Sequence, residues 1–130
     1  MFKNTHAFGS FSVDDLQKAK VFYGDTLGLE VKETPEGLSI TISGGGSFFI
    51  YPKSDHEPAT FTILNFPVDD IEKAVDNLAA TDIVFEQYGG DIKTDEKGIF
   101  WGAKQENMGP NIAWFKDPAE NILSIIEDKR

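Results

Sequence analysis

Two stretches of the chain alternate in the manner of a strand and then change to helical spacing. Over residues 6–13, Ala7, Gly9, Phe11 and Val13 share one face, and His6, Phe8, Ser10 and Ser12 the other. Over residues 61–68, Thr62, Leu64, Phe66 and Val68 oppose Phe61, Ile63, Asn65 and Pro67. Asp14 with Gln17, and Asp69 with Glu72, then predict capping boxes with aspartate as the cap. The helices that follow present Leu16, Ala19 and Tyr23, with Phe22 beside them, and Ile71, Ala74, Val75 and Leu78. Gly24 and Gly28 flank the end of the first helix.

These two starts are copies. Phe11-Ser12-Val13-Asp14-Asp15-Leu16-Gln17-Lys18-Ala19 recurs as Phe66-Pro67-Val68-Asp69-Asp70-Ile71-Glu72-Lys73-Ala74, at a constant offset of 66 − 11 = 55. Strands are predicted after each helix, over residues 29–33, 38–43 and 47–51 in the first copy and 83–88, 111–115 and 122–127 in the second. The chain thus reads as α+β, with a strand–helix–strand–strand–strand unit built twice. The units span about residues 1–54 and 58–130 of one domain. Their sheets are expected to curve into one mixed sheet around a shared trough, where a ligand site belongs. Gly44-Gly45-Gly46 lies between strands and reads as a hairpin turn, because a phosphate cradle needs a helix after its glycines. Residues 52–58 form a polar linker. Residues 89–110 are too long for an ordinary connection. They read as a flap with Ile99, Phe100 and Trp101 at its tip, or as a loop holding one more short strand.

Composition narrows the partners. Twelve Lys and Arg against 22 Asp and Glu give a net charge of −10, which disfavours a phosphate backbone and so nucleic acid. Solubility accounts for such a charge; the other reading is a preference for cationic ligands. The chain has no cysteine, so disulfides and thiol chemistry are absent. No stretch approaches the roughly 18 apolar residues of a membrane span. The N-terminus has no signal-peptide pattern. A soluble cytoplasmic protein is expected.

Val13-Asp14-Asp15-Leu16, then Phe22-Tyr23-Gly24-Asp25-Thr26-Leu27-Gly28-Leu29, then Val68-Asp69-Asp70-Ile71, and finally Trp114-Phe115-Lys116-Asp117-Pro118-Ala119-Glu120-Asn121-Ile122-Leu123 carry a family resemblance. Together they resemble the vicinal oxygen chelate superfamily of glyoxalases, extradiol dioxygenases and bleomycin resistance proteins. The resemblance implies paired βαβββ modules. In metal-dependent members it implies four metal-ligand positions, which fall here on Phe8, Tyr51, Ile63 and Ser124. Phe and Ile offer no lone pairs, and Ser and neutral Tyr are weak ligands for a hard cation. No metal or other cofactor is therefore expected. The resemblance also implies Gly where this chain has Glu120.

The expected function is binding of a small apolar or aromatic molecule, as in drug or toxin sequestration, by a homodimer. The candidate site is Phe8, Ser10, Tyr51, Ile63, Asn65, Trp101 and Ser124, with Asn65 as polar anchor and Trp101 closing from the flap. The rival is a glyoxalase-like lyase, isomerase or dioxygenase with a displaced or absent metal. A regulatory subunit with a vestigial cleft is a third reading. Ser10, Ser12 and Ser124 show no histidine placed to activate them. His6 is expected at an exposed strand start, and His56 is expected solvated in the linker.

Overall fold

The computed structural model of the chain describes residues 1–105 and 109–128. It divides into two compact units, Met1–Pro58 and Ala59–Arg130. Each has the strand–helix–strand–strand–strand order that the repeat predicts.

The first unit runs β1 (Gly9–Val13), α1 (Leu16–Lys20), a π-helical turn (Val21–Thr26), β2 (Glu30–Thr34), β3 (Gly37–Thr41) and β4 (Ser47–Pro52). Its sheet has the order β1-β4-β3-β2, with β1 and β4 parallel and the other pairs antiparallel. One face is apolar. Val13, Leu38, Ile40, Phe48 and Ile50 are buried there with Ala19, Phe22 and Tyr23 of the helical segment. Phe11, Tyr23 and Phe48 form an aromatic cluster, with Phe11 stacked on Phe48 at 5.6 Å between ring centroids. In the π turn the Leu27 N–H reaches back five residues to the Phe22 carbonyl, at 2.9 Å. Gly28, at φ 74°, then turns the chain out of the helix. The Gly44–Gly46 run is the β3–β4 hairpin turn. There the Ile42 N–H donates to Gly46 O at 3.1 Å, and Gly45 and Gly46 have positive φ.

The second unit runs β5 (Thr62–Val68), α2 (Ile71–Ala79), β6 (Ile99–Trp101), β7 (Asn111–Lys116) and β8 (Ile122–Glu127), in the order β5-β8-β7-β6. Helix α2 packs over β7 and β8. It buries Ile71 and Val75 in a core with Ile83, Phe85, Ile99, Ala113, Phe115, Leu123 and Ile125. No helix among the described residues is long and apolar enough to cross a membrane.

Four local expectations need correction. The helix caps are Asp15 and Asp70, one residue later than expected. Asp15 has extended backbone dihedrals, and its Oδ1 accepts from the Gln17 and Lys18 N–H groups at 3.1 Å each; Asp70 Oδ1 accepts from the Lys73 N–H at 3.1 Å. Residues 83–88 do not form a full strand. Phe85 makes one antiparallel bridge to Phe115, and the Glu86 N–H donates to Trp114 O at 2.8 Å. The rest of that β7 edge is taken by β6, which pairs Ile99 with Ala113 and Trp101 with Asn111. The edge partner is therefore split in two.

The third correction follows from the split. Ile99 and Phe100 are buried strand residues, not a flap tip. Trp101 is half-buried and fixed, its indole N–H donating to Asp95 Oδ2 at 2.8 Å with Lys104 Nζ 4.2 Å from the ring centroid. Part of the expected flap, residues 106–108, lies outside the described residues. Fourth, His56 is not simply solvated. It is half-buried, with Nδ1 2.6 Å from Ser12 Oγ.

Candidate functional site

The second sheet has two chemically different faces. Along β7 and β8, Ala113, Phe115, Leu123 and Ile125 point to the helix side and are nearly inaccessible. The intervening residues belong to the other face. Register places Asn65 beside Ser124 in the parallel β5–β8 pair, and Ser124 beside Trp114 in the antiparallel β7–β8 pair. Asn65, Ser124 and Trp114 thus form a row across three strands, on the face that α2 leaves uncovered.

Polar contacts lock this row. Ser124 Oγ donates to Asn65 Oδ1 at 2.5 Å. Ser124 is wholly buried, while Asn65 is exposed. The Trp114 indole N–H donates to Thr62 Oγ1 at 3.2 Å. Tyr88 packs edge-on against Trp114 at 5.4 Å, and Phe100 lies 6.4 Å from it. Burial holds the Tyr88 phenol above its ordinary pKa; the Glu86 carboxylate adds to the shift and Lys116 opposes it. That phenol stays protonated at neutral pH.

Thr62 was expected on the helix side, with Leu64. The ladder has an irregularity between Thr62 and Leu64: Thr62 pairs with Ile122 although Leu64 pairs with Leu123. An extra residue of this kind breaks strict alternation. It brings Thr62 to Trp114, and Ile63 is the half-buried residue at the irregularity. Trp101 belongs to the opposite face by register, because its neighbour Phe100 pairs with Ile112 in line with Trp114. The tryptophan beside Asn65 and Ser124 is Trp114, which sequence reasoning left out of the site. Its position two residues along the strand from Ile112, and thus opposite in face to Ala113 and Phe115, was the available signal.

In the first unit, Phe8 precedes β1 and is 66% exposed. Ser10 is exposed and pairs with Phe49, while Tyr51 pairs with Ser12, the residue that contacts His56. The expectation that no serine has a histidine beside it therefore fails at Ser12. The offset of 55 carries Asn65 onto Ser10, and the pairing Ser10↔Phe49, equivalent to Asn65↔Ser124 in the other parallel ladder, then sets Phe49 against Ser124. The counterpart of Ser124 in the repeat is thus Phe49 rather than Tyr51.

Metal-dependent relatives would place ligands at these positions. Phe8 and Ile63 have no donor atom, nor has Phe49; Tyr51 offers only a phenol, a weak ligand for a hard cation; and the Ser124 hydroxyl is buried against Asn65. Among the described residues no group of three or more His, Cys, Asp or Glu stands close enough to hold a metal ion. This donor set does not fit a divalent cation.

A sequence profile of the Glyoxalase/Bleomycin resistance protein/Dioxygenase superfamily matches residues 6–125, and the chain belongs to that superfamily. Among solved structures it is similar to TnmS3, an antibiotic binding protein from Streptomyces sp. CB03234, at 19% identity and TM-score 0.67 over 98% of each chain. It is similar to a glyoxalase family protein from Enterococcus faecalis, at 21% identity and TM-score 0.67 over 97% of this chain and 98% of that one. It is also similar to lactoylglutathione lyase from Agrobacterium tumefaciens, at 19% identity and TM-score 0.65 over 98% of this chain and 96% of that one. At these identities the likeness establishes the fold. No protein of curated function matches significantly.

Proposed function

We propose that this protein binds a small apolar or aromatic molecule without a metal ion, on the face of its second sheet opposite α2. The observation that carries the reading is the Ser124–Asn65 hydrogen bond. Where a metal-dependent relative needs a charged ligand atom, this chain has a neutral hydroxyl already committed to an amide, with the Trp114 ring in the next strand. An aromatic wall with a few polar groups suits a flat ligand better than an ion. One structural relative, TnmS3, is described as antibiotic binding, which supports sequestration of a drug or toxic metabolite as the role. A cytoplasmic homodimer is part of the same proposal.

Two measurements test it. Elemental analysis of the untagged protein is expected to find no stoichiometric transition metal; one metal per chain, lost together with a catalytic activity on chelation, would favour a metal-dependent enzyme instead. A thermal-shift screen of flat aromatic compounds is expected to give hits, since ligand at 100 times Kd adds about 2.7 kcal/mol. Placing a charge at the half-buried Ile63, Ile63→Asp, is expected to abolish those hits in a protein with native circular dichroism. Unchanged affinity would exclude this face.

A further inference from the structure

Resting on the proposed aromatic site, we infer that its ligand carries hydrogen-bond acceptors, such as carbonyl or phenolate oxygens, and is not a cation. Thr62 and Tyr88 contact Trp114, Asn65 lies across Ser124 from it, and the hydrogen bonds within the site determine what each has left to offer. Ser124 Oγ lies 2.5 Å from Asn65 Oδ1, a length suited to O–H···O and too short for N–H···O. That contact uses the amide oxygen and leaves the two N–H donors of Asn65 for a ligand. Thr62 Oγ1 already accepts the Trp114 indole N–H, so what its hydroxyl retains foremost is its hydrogen. Tyr88, whose ring packs edge-on against Trp114, carries a neutral phenol that can donate as well as accept. Glu86, the carboxylate whose charge acts on Tyr88, is 3.6 Å from Lys116 Nζ and is partly neutralised by it. The net charge of −10 taken alone would point to a cationic ligand. Local donors decide orientation at short range, whereas distributed surface charge is screened beyond about 8–10 Å.

The test uses three molecules of one skeleton: 9-fluorenone, which carries an acceptor; fluorene, which carries none; and 9-aminofluorene, protonated to an ammonium. Binding is read by Trp fluorescence and thermal shift on the full chain. Fluorenone is expected to bind about tenfold tighter than fluorene, as one hydrogen bond to an otherwise hydrated donor gives. It should also bind tighter than the ammonium. Asn65→Asp replaces the donors by an acceptor at an exposed position, and is expected to remove the fluorenone preference and improve aminofluorene binding. Thr62→Val gives a second, smaller loss. Equal or tighter binding of fluorene or aminofluorene by the native protein overturns the acceptor inference and leaves the aromatic site standing. A fluorenone preference that survives Asn65→Asp also overturns it. Failure of all three compounds to bind overturns the aromatic-site reading itself, and this inference with it.

Discussion

Glu120 occupies the β7–β8 turn at φ 67°, in the left-handed region where a side chain is strained. The turn is otherwise well made. The Glu120 N–H donates to Asp117 O at 2.9 Å, and the Asp117 N–H to Asn121 O at 3.0 Å. Asp117 Oδ1 accepts from the Ala119 and Asn121 N–H groups at 3.0 and 2.8 Å, and Oδ2 from Asn121 Nδ2 at 3.0 Å. Asp117 and Asn121 are buried, while Glu120 is exposed. Glu120→Gly therefore removes strain without removing a packed side chain. A left-handed residue other than glycine costs about 1–2 kcal/mol. Glycine returns about 0.5–1 kcal/mol of that through its greater freedom in the unfolded chain. The net expectation is a stabilisation of about 0.5–1 kcal/mol, or about 2–4 °C in Tm for a chain of this size. Urea unfolding and calorimetry measure it. Glu120→Ala keeps the Cβ and is expected to give no gain, which separates backbone strain from loss of one surface charge. Asp82, at φ 70°, is a second control: aspartate tolerates this region better, so Asp82→Gly should gain less. A Glu120→Gly protein no more stable than Glu120→Ala would refute the strain argument.

Two further outcomes are expected. His56→Ala and Ser12→Ala each remove the same half-buried hydrogen bond and should each cost about 0.5–1.5 kcal/mol in chemical unfolding. The double variant should cost clearly less than the two single losses combined, and full additivity would show that the contact carries no energy. At Asp95, burial acts to raise the pKa, but hydrogen bonds from the Ile99 N–H, the Trp101 indole and the Lys97 N–H, with the Lys97 charge, hold it below the usual value. Its stabilisation is therefore complete above the ordinary carboxylate pKa near 4 and lost as pH falls through the lower folded value. Trp101 emission is expected to report release of this contact on acidification, and Asp95→Asn should remove that dependence; an identical acid profile in the variant would refute the assignment.

Much of the fold was legible because its signals are local. The repeat at offset 55 identified both strand–helix starts, and Gly44-Gly45-Gly46 identified the hairpin. Alternation correctly put Asn65 and Ser10 opposite the Phe and Val residues that face the helices. It failed at Thr62, because an irregularity changes the face of one residue without any sign in composition. It failed again at residues 83–88, which have the composition of a strand but compete with Ile99–Trp101 for one edge of β7. That competition depends on which segment returns to the edge, not on either segment's own sequence. The Ser12–His56 contact spans 44 residues, and the polar linker around His56 gives no hint that the ring turns back onto β1. The choice between Trp101 and Trp114 was half legible: alternation with Ala113 and Phe115 puts Trp114 on the other face, but its place beside Ser124 needed strand register.

The repeat also separates what the frame requires from what it leaves open. Positions that agree between the copies do structural work: Phe11 and Phe66, Val13 and Val68, the capping Asp15 and Asp70, and Ala19 and Ala74. Each pair recurs because a strand must enter a helix at the same angle twice. Several of the positions that differ lie on the face opposite the helices. Ser10 beside Phe49 in one copy becomes Asn65 bonded to Ser124 in the other, and Phe8 becomes Ile63. At these pairs, beyond the irregularity between Thr62 and Leu64, the two ladders have the same register, so folding alone does not demand an amide–hydroxyl pair in that row. A buried serine is also a poor choice for stability alone, since its hydroxyl must be matched by Asn65 merely to offset the cost of leaving water. The second copy retains the pair where the first manages with an apolar ring. That difference suits a recognition surface. The polar specificity of the proposed site then comes from Asn65 and Ser124, and its aromatic wall is also particular to the second unit, since Trp114 beside Ser124 corresponds to Ser39 beside Phe49 in the first.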